Sequence, residues 1–280
     1  MLSYRHAYHA GNFADVMKHV VLTAILRYLA KKDAALCYVD THAGAGMYKL
    51  DSTYARKNAE HNEGIARLWQ ATDAPAPVAD YLGLVRRLNI GSELKLYPGS
   101  PWFAAQILRP ADRMMLCELH GSDISLLETQ FATDRRAHCY QENGYQFAQS
   151  LLPPRERRGL IFMDPSYELR GEYETAVSSI AAMHRRFATG VYALWYPVLN
   201  EHQPGTIEKL FAETGVRKVL HLALRVAARS PQSGMYGCGV IVINPPWTLR
   251  EEMSLALPWL AEALALDASA SFLVEQWADE

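Results

Sequence analysis

The chain has 280 residues, half of them hydrophobic, enough to bury one large core that carries at most a modest insertion. Its 28 Lys and Arg stand against 30 Asp and Glu, so no global positive field gathers polyanions and any nucleic-acid site must be a local patch. No run approaches a membrane span, Met1-Leu2-Ser3-Tyr4-Arg5-His6 lacks the pattern of a secretory signal, and Cys37, Cys117, Cys139 and Cys238 are scattered without metal or redox spacing, which together predict a cytoplasmic protein. The histidines likewise lack ligand spacing, so no metal is expected.

In chain order, a segment dense in His, Tyr and basic groups runs from Tyr4 to His19, with Asn12 placed to cap a helix over residues 14–31 that carries Asp15, Lys18 and His19. Short apolar runs then alternate with helix-like segments, the pattern of a mostly parallel sheet covered by helices. Strands are predicted at 35–40, 113–118, 137–141, 160–164, 191–196, 218–224 and 239–244, and the helices between them at 101–108, 122–131, 144–151, 173–186 and 206–213. More than seventy residues separate the first two strands, too many for an ordinary connection. Within 51–93, Ile65, Leu68 and Trp69 and then Tyr81, Leu82, Val85 and Leu88 recur at helical spacing, broken by Ala74-Pro75-Ala76-Pro77. The expected organisation is therefore one catalytic domain, 1–50 with 94–280, and an inserted helical subdomain at 51–93. The last two strands are joined through Ser230-Pro231-Gln232-Ser233-Gly234, a hairpin signal that makes the seventh strand antiparallel.

Four loops carry chemistry. Asp40-Thr41-His42-Ala43-Gly44-Ala45-Gly46 closes the first strand, where open α/β folds bind ligands and where Gly44 and Gly46 let the backbone approach a nucleotide. A dinucleotide fingerprint needs a third glycine where Lys49 stands, which argues against a nicotinamide oxidoreductase. The loop instead resembles that of class I methyltransferases, which hold S-adenosylmethionine. Glu118, at the end of the second strand, is placed to accept both ribose hydroxyls, though a solvated carboxylate at a strand end would look the same. After the third strand, Glu142-Asn143-Gly144-Tyr145 is placed to frame the cofactor adenine.

The fourth strand ends in Asp164-Pro165-Ser166-Tyr167, which resembles the Asp/Asn-Pro-Pro-aromatic motif of enzymes that methylate exocyclic amino groups, with Ser166 where proline is usual. An adenine amino nitrogen is a poor nucleophile while its lone pair is delocalised into the ring. The Asp164 carboxylate and the Pro165 carbonyl would accept its two hydrogens and favour a pyramidal nitrogen, and the ring of Tyr167 would stack on the extruded base. Asn244-Pro245-Pro246-Trp247 fits that pattern better by letter, but the end of an antiparallel strand lies at the wrong edge of the sheet. Arg135-Arg136, Arg155-Glu156-Arg157-Arg158 and Arg185-Arg186 offer phosphate contacts or plain solvated faces.

The opening Tyr-Arg-His-x-x-His-Ala-Gly-Asn-x-Ala-Asp-Val-x-Lys-His, the glycine loop, Tyr97-Pro98-Gly99-Ser100-Pro101 and Ala193-Leu194-Trp195-Tyr196-Pro197 together resemble the bacterial 23S ribosomal RNA adenine-N6 methyltransferases of the large-subunit J type, in the same order over nearly the whole chain. The resemblance implies a monomer with a Rossmann-like class I fold and a small helical insertion, acting on protein-free 23S RNA. It implies cofactor contacts at His19, His42, Ser100, Glu118, Asn143, Gly144 and Asp164 with Lys18 nearby, catalysis at Asp164, and RNA contact at Tyr4, with His6 beside it. That family usually has Asp at position 143. DNA adenine methylation shares the chemistry, and a nonenzymatic RNA-binding module would leave Glu118, Asp164 and the glycine loop unexplained together.

Overall fold

A computed structural model describes residues 5–230 and 234–278. Helix α1 (Phe13–Ala30) opens the domain. The Asn12 side chain caps it by accepting the Asp15 N–H at 2.9 Å, and Asp15 in the first turn complements the helix dipole. The helix is buried on every side from Phe13 to Leu26. Asp15, Lys18 and His19 therefore have almost no water around them and must find partners within the fold.

Strand β1 (Cys37–Asp40) leads through the glycine loop directly into a short strand, β2 (Met47–Lys49), with no helix between. The chain then makes α2 (Thr53–Asn58), a 3₁₀ turn at Glu60–Glu63, α3 (Ile65–Leu68) and α4 (Ala76–Leu88) before β3 (Leu96–Pro98) returns antiparallel to β2. Buried Asn89 ties the return: its side-chain oxygen accepts the N–H groups of Lys95 and Leu96, each at 2.8 Å. The Gly99 N–H donates to the Gly46 carbonyl at 2.9 Å, and α5 (Ser100–Ile107) starts there. The excursion is thus spliced into the turn between the first strand and the helix that an α/β unit places after it. Its apolar positions Ile65, Leu68, Tyr81, Leu82 and Val85 join the same hydrophobic core as α1.

The remaining elements are β4 (Arg113–Cys117), α6 (Gly121–Phe131), β5 (Ala137–Tyr140), α7 (Gly144–Ser150), β6 (Gly159–Met163), α8 (Glu172–Arg186), β7 (Val191–Val198), α9 (Gln203–Thr214), β8 (Val219–Arg225), β9 (Gly237–Ile243), α10 (Leu249–Ala263) and β10 (Ser271–Ala278). Among the described residues the main sheet has eight strands in the order β10-β8-β9-β7-β6-β1-β4-β5. Strands β5, β4, β1, β6 and β7 are mutually parallel, and β9 runs antiparallel to both β7 and β8. The expected seven strands are all present within two residues of their predicted bounds. An eighth, β10, adds antiparallel to the β8 edge, and α10 precedes it; neither was anticipated.

Alternation along the strands sorts the two layers. Tyr38, Leu160, Phe162 and Ala193 join the core beneath α1, α4, α5 and α10, while Val39, Ile161, Met163, Tyr192 and Leu194 join the core beneath α7, α8 and α9. The strand order also turns back at β1: β4 and β5 lie on one side of it, β6 and β7 on the other. Such a switch point opens a crevice at the carboxyl edge of the sheet, where the loops after β1, β4, β5 and β6 converge. No helix among the described residues is long and apolar enough to cross a membrane.

Candidate active site

The crevice at the switch point is a cleft of about 1030 Å³, part of it open to solvent, lined by Lys18, His19, His42, Gly44, Ser100, Glu118, Asn143, Gly144 and Asp164 among others. Every residue expected to touch a cofactor is in that lining except Gly46. Gly46 sits behind the loop, with φ +78° and its carbonyl bonded to Gly99, so it shapes the turn.

The glycine loop is locked by its own amides. Ala43 N–H donates to the Cys117 carbonyl at 2.8 Å, Gly44 N–H to Glu118 Oε2 at 2.9 Å, and Ala45 N–H to the Tyr48 hydroxyl at 3.2 Å. With these donors committed and no helix starting at the loop, no anion cradle for a pyrophosphate exists there. That geometry removes the nicotinamide alternative and suits a nucleoside without phosphates. Glu118 is held as a ribose acceptor would be: Oε1 takes the His120 N–H at 2.7 Å, which leaves lone pairs of both oxygens toward the cleft. Burial raises its pKa, and the two backbone donors oppose the rise.

Helix α7 closes the third wall. The Asn143 oxygen caps it, accepting the N–H groups of Tyr145 at 3.0 Å and Gln146 at 3.4 Å. An Asn side chain does this work as well as Asp, and its amide nitrogen stays available to a ligand. Gly144 is demanded by space, because a Cβ there would stand 1.9 Å from the Thr41 carbonyl oxygen. Burial pulls His42 down to about 4 and His19 well below the ordinary imidazole range. His19 Nδ1 lies 2.9 Å from the Tyr97 hydroxyl, which in turn meets Tyr81.

Beneath the cleft floor runs a charged chain that the sequence reading had only in part. Lys18 Nζ lies 2.6 Å from Asp15 Oδ1 and 2.5 Å from Asp164 Oδ2, and Asp15 Oδ2 accepts from the Gly11 N–H at 2.7 Å and lies 3.0 Å from His6 Nε2. Burial would neutralise both Lys18 and Asp15. Instead, Asp15 and Asp164 hold Lys18 above its usual value, and His6 and Lys18 hold Asp15 well below its own. The sequence placed Asp15 on the helix of Lys18 and His19 but gave it no role. Asp40, which heads the glycine-loop motif, is buried and bonded by the Tyr38 hydroxyl at 2.7 Å, and burial pushes it up to about 6.

A second cleft of about 1260 Å³ shares His6, Lys18, Asp164 and Ser166 with the first and is otherwise lined by Phe13, Tyr167, Trp195, Pro197, Met235 and neighbours. Tyr167 lies here and not in the first cleft. Its backbone takes φ +54° and its hydroxyl donates to the Trp195 carbonyl at 2.7 Å, which fixes the ring in the cleft wall. Lys18 Nζ stands 5.3 Å from the Trp195 ring centre, so the Ala-Leu-Trp-Tyr-Pro strand supports the lysine. Pro165, expected to take part in catalysis, lines neither cleft, and Tyr4 lies outside the described residues.

These features match known proteins over nearly the whole chain. The family model described as ribosomal RNA large subunit methyltransferase D, RlmJ, matches residues 33–277. The chain belongs to this family. Two curated relatives are each named ribosomal RNA large subunit methyltransferase J. One, from Haemophilus influenzae, is 46% identical over 276 residues, covering 98% of both chains; the other, from Escherichia coli, is 47% identical over 264 residues, covering 94% of both. A crystal structure of a Legionella pneumophila protein superposes with a TM-score of 0.89 at 37% identity, over 96% of this chain and 98% of that one. Membership makes the chain a Rossmann-like methyltransferase of large-subunit ribosomal RNA, with S-adenosylmethionine as methyl donor. The residues lining the first cleft fit that donor: a ribose acceptor, a phosphate-free loop and carboxylates for a cationic ligand.

Of the two readings left open for the paired arginines, this geometry disfavours phosphate contacts at the site. Arg136, Arg158 and Arg186 each precede a parallel strand and so lie at the amino edge, away from both clefts. Their guanidinium groups bond backbone carbonyls, Arg136 to Ala105 at 3.0 Å, Arg158 to Leu29 at 2.7 Å and Arg186 to Leu152 at 3.4 Å. They fasten loops and do not face the site.

Proposed function

We propose that the chain transfers a methyl group to the exocyclic N6 of an adenine in 23S ribosomal RNA, acting as a monomer on the protein-free RNA. The observation that carries this reading is that two clefts meet at the Asp-Pro-Ser-Tyr loop, with His6, Lys18, Asp164 and Ser166 common to both. When bound, S-adenosylmethionine supplies an electrophilic sulfonium methyl from the first cleft. Its adenosine is held by Glu118, His42, Asn143 and the close approach of Gly144, and its charged end faces Lys18, His19, Ser100 and Asp164.

The chain's own groups prepare the nucleophile. Lys18 occupies Asp164 Oδ2, so Oδ1 is the oxygen left to accept one amino hydrogen, and the Pro165 carbonyl accepts the other. The Tyr167 ring, locked through Trp195, stacks on the extruded base in the second cleft beside Phe13, Trp195 and Met235. His6, pinned to Asp15, lines the same cleft, and Tyr4 contacts the RNA as the family resemblance implies. Incubation with labelled S-adenosylmethionine and, separately, naked 23S RNA, intact ribosomes and duplex DNA tests substrate and class together. Label is expected in the naked RNA; label confined to DNA would overturn the assignment.

A further inference from the structure

Beside the second cleft, the start of the described chain and α2 form a cluster that the catalytic reading does not use. His6–Tyr8 is a 3₁₀ turn, in which positions three apart eclipse, so His6 and His9 share one face and Arg5 and Tyr8 another. His6 and His9 line the second cleft. Arg5 and Tyr8 turn onto α2. The Arg5 guanidinium lies 5.4 Å from the Tyr54 ring centre, with its Nη1 donating to the Tyr54 hydroxyl at 3.3 Å, while Lys57 Nζ lies 5.5 Å from the Tyr8 ring centre. The two tyrosine rings meet edge to face at 5.2 Å. Tyr54 is 39% exposed, and Arg56 and Lys57 are exposed beside it.

The local charge balance favours an anionic partner. Glu60 is drawn away by His9 Nδ1 at 2.8 Å and by the Asn12 amide at 3.0 Å, and Asp15 is held by His6 and Lys18. That leaves Asp51 and Glu63 against Arg5, Lys49, Arg56 and Lys57 over this part of the chain. Cations interleaved with exposed aromatic rings recognise single-stranded nucleic acid, whose phosphates and unpaired bases they meet at once.

We propose that Arg5, Tyr8, Tyr54, Arg56 and Lys57 form the face that grips the unpaired RNA strand next to the target adenosine, with the cations on its phosphates and Tyr54 under a flanking base. This assignment rests on the second cleft's being the target-base cleft. It gives the inserted segment a substrate-holding role.

The test compares wild type with Arg56→Ala/Lys57→Ala and with Tyr54→Ala on a naked 23S RNA transcript, alongside melting temperature and S-adenosylmethionine affinity. The double variant is expected to raise KM for RNA about tenfold, more than it lowers kcat, and to reduce the slope of log Kd against log salt by about 1.4, the value for two phosphate contacts on a single strand. Tyr54→Ala is expected to weaken RNA binding roughly tenfold with the salt slope unchanged, as for a lost stacking contact. Unchanged KM and salt slope in a double variant that melts and binds cofactor like wild type would overturn the proposal while leaving the RNA methylation reading intact. A wild-type protein that labels no RNA at all would overturn both.

Discussion

Two loops of this chain have nearly the same letters and opposite surroundings. Asp164-Pro165-Ser166-Tyr167 ends a strand parallel to β1 and stands where two clefts meet. Asn244-Pro245-Pro246-Trp247 ends antiparallel β9, paired so that Ile243 lies opposite Tyr192 at the start of β7. There the Asn244 side chain donates to the Ala188 and Gly190 carbonyls at 2.9 and 2.7 Å, and Trp247 is 88% exposed. The better motif by spelling is a brace at the amino edge, and the poorer one is the candidate catalytic loop. Strand direction, which a tetrapeptide does not encode, decides which Pro loop can meet a methyl donor.

The comparison is broken most directly by Asp164→Ala, expected to cost at least about 10³-fold in turnover, roughly 4 kcal/mol of transition-state stabilisation, with S-adenosylmethionine binding still measurable by calorimetry. Substantial activity in that variant would make the two loops equivalent. Next in size, Gly144→Ala forces α7 away from the Thr41 carbonyl and should weaken cofactor affinity at least about tenfold, about 1.4 kcal/mol. An unaltered dissociation constant would show that the close approach is not needed.

Asn244→Ala sharpens the contrast from the other side. Losing its two hydrogen bonds should cost about 1–3 kcal/mol and lower the melting temperature by several degrees, while kcat stays near wild type. A collapse of kcat in a folded Asn244→Ala protein would give the amino-edge loop a part in the chemistry.

The smallest effect concerns the tie that steadies the segment beside the candidate catalytic loop. His9 is raised chiefly by its hydrogen bond to Glu60; Glu60 is lowered by His9 and Asn12 against the opposing effect of burial. The His9 share of stability is present below an unfolded histidine's pKa and lost as pH rises through the raised folded value. The Glu60 share is present above an unfolded glutamate's pKa and lost as pH falls through the lowered one. The tie is therefore strongest between about pH 4.5 and 6.5. Both side chains are about one-third exposed, so the difference in melting temperature between wild type and His9→Ala should be only a degree or two near pH 5.5 and should shrink by pH 8.5. A difference that grows toward pH 8.5 would contradict the assignment.

The parallel strands were legible because each is an apolar run bounded by helix signals, and the antiparallel β9 was legible from the Ser230–Gly234 turn residues. Other elements left weaker marks. Strands β2 and β3 have three residues each, too few for any period to register. Strand β10 is an edge strand with Phe272 and Leu273 both partly exposed, so its alternation is blurred. Helix α10 buries Leu249, Met253, Leu257 and Leu260 at helical spacing, but Pro258 interrupts the signal.

At the site, loop residues announced themselves through motif spacing. Asp15 and Tyr48 did not, because their importance lies in what they hold: Asp15 fixes Lys18 and His6, and Tyr48 braces Ala45 while His6 packs edge-on against its ring. The arginine pairs stayed open between phosphate contacts and solvated faces for a related reason. A run of charge says nothing about which edge of a sheet it will occupy.

The most direct measurement is mass spectrometry of nucleosides from naked 23S RNA treated with wild type, Asp164→Ala and Asn244→Ala. N6-methyladenosine produced by wild type and Asn244→Ala but not by Asp164→Ala is the predicted result. A methyl group found on another atom, or N6-methyladenosine formed at the wild-type level by Asp164→Ala, would contradict the account.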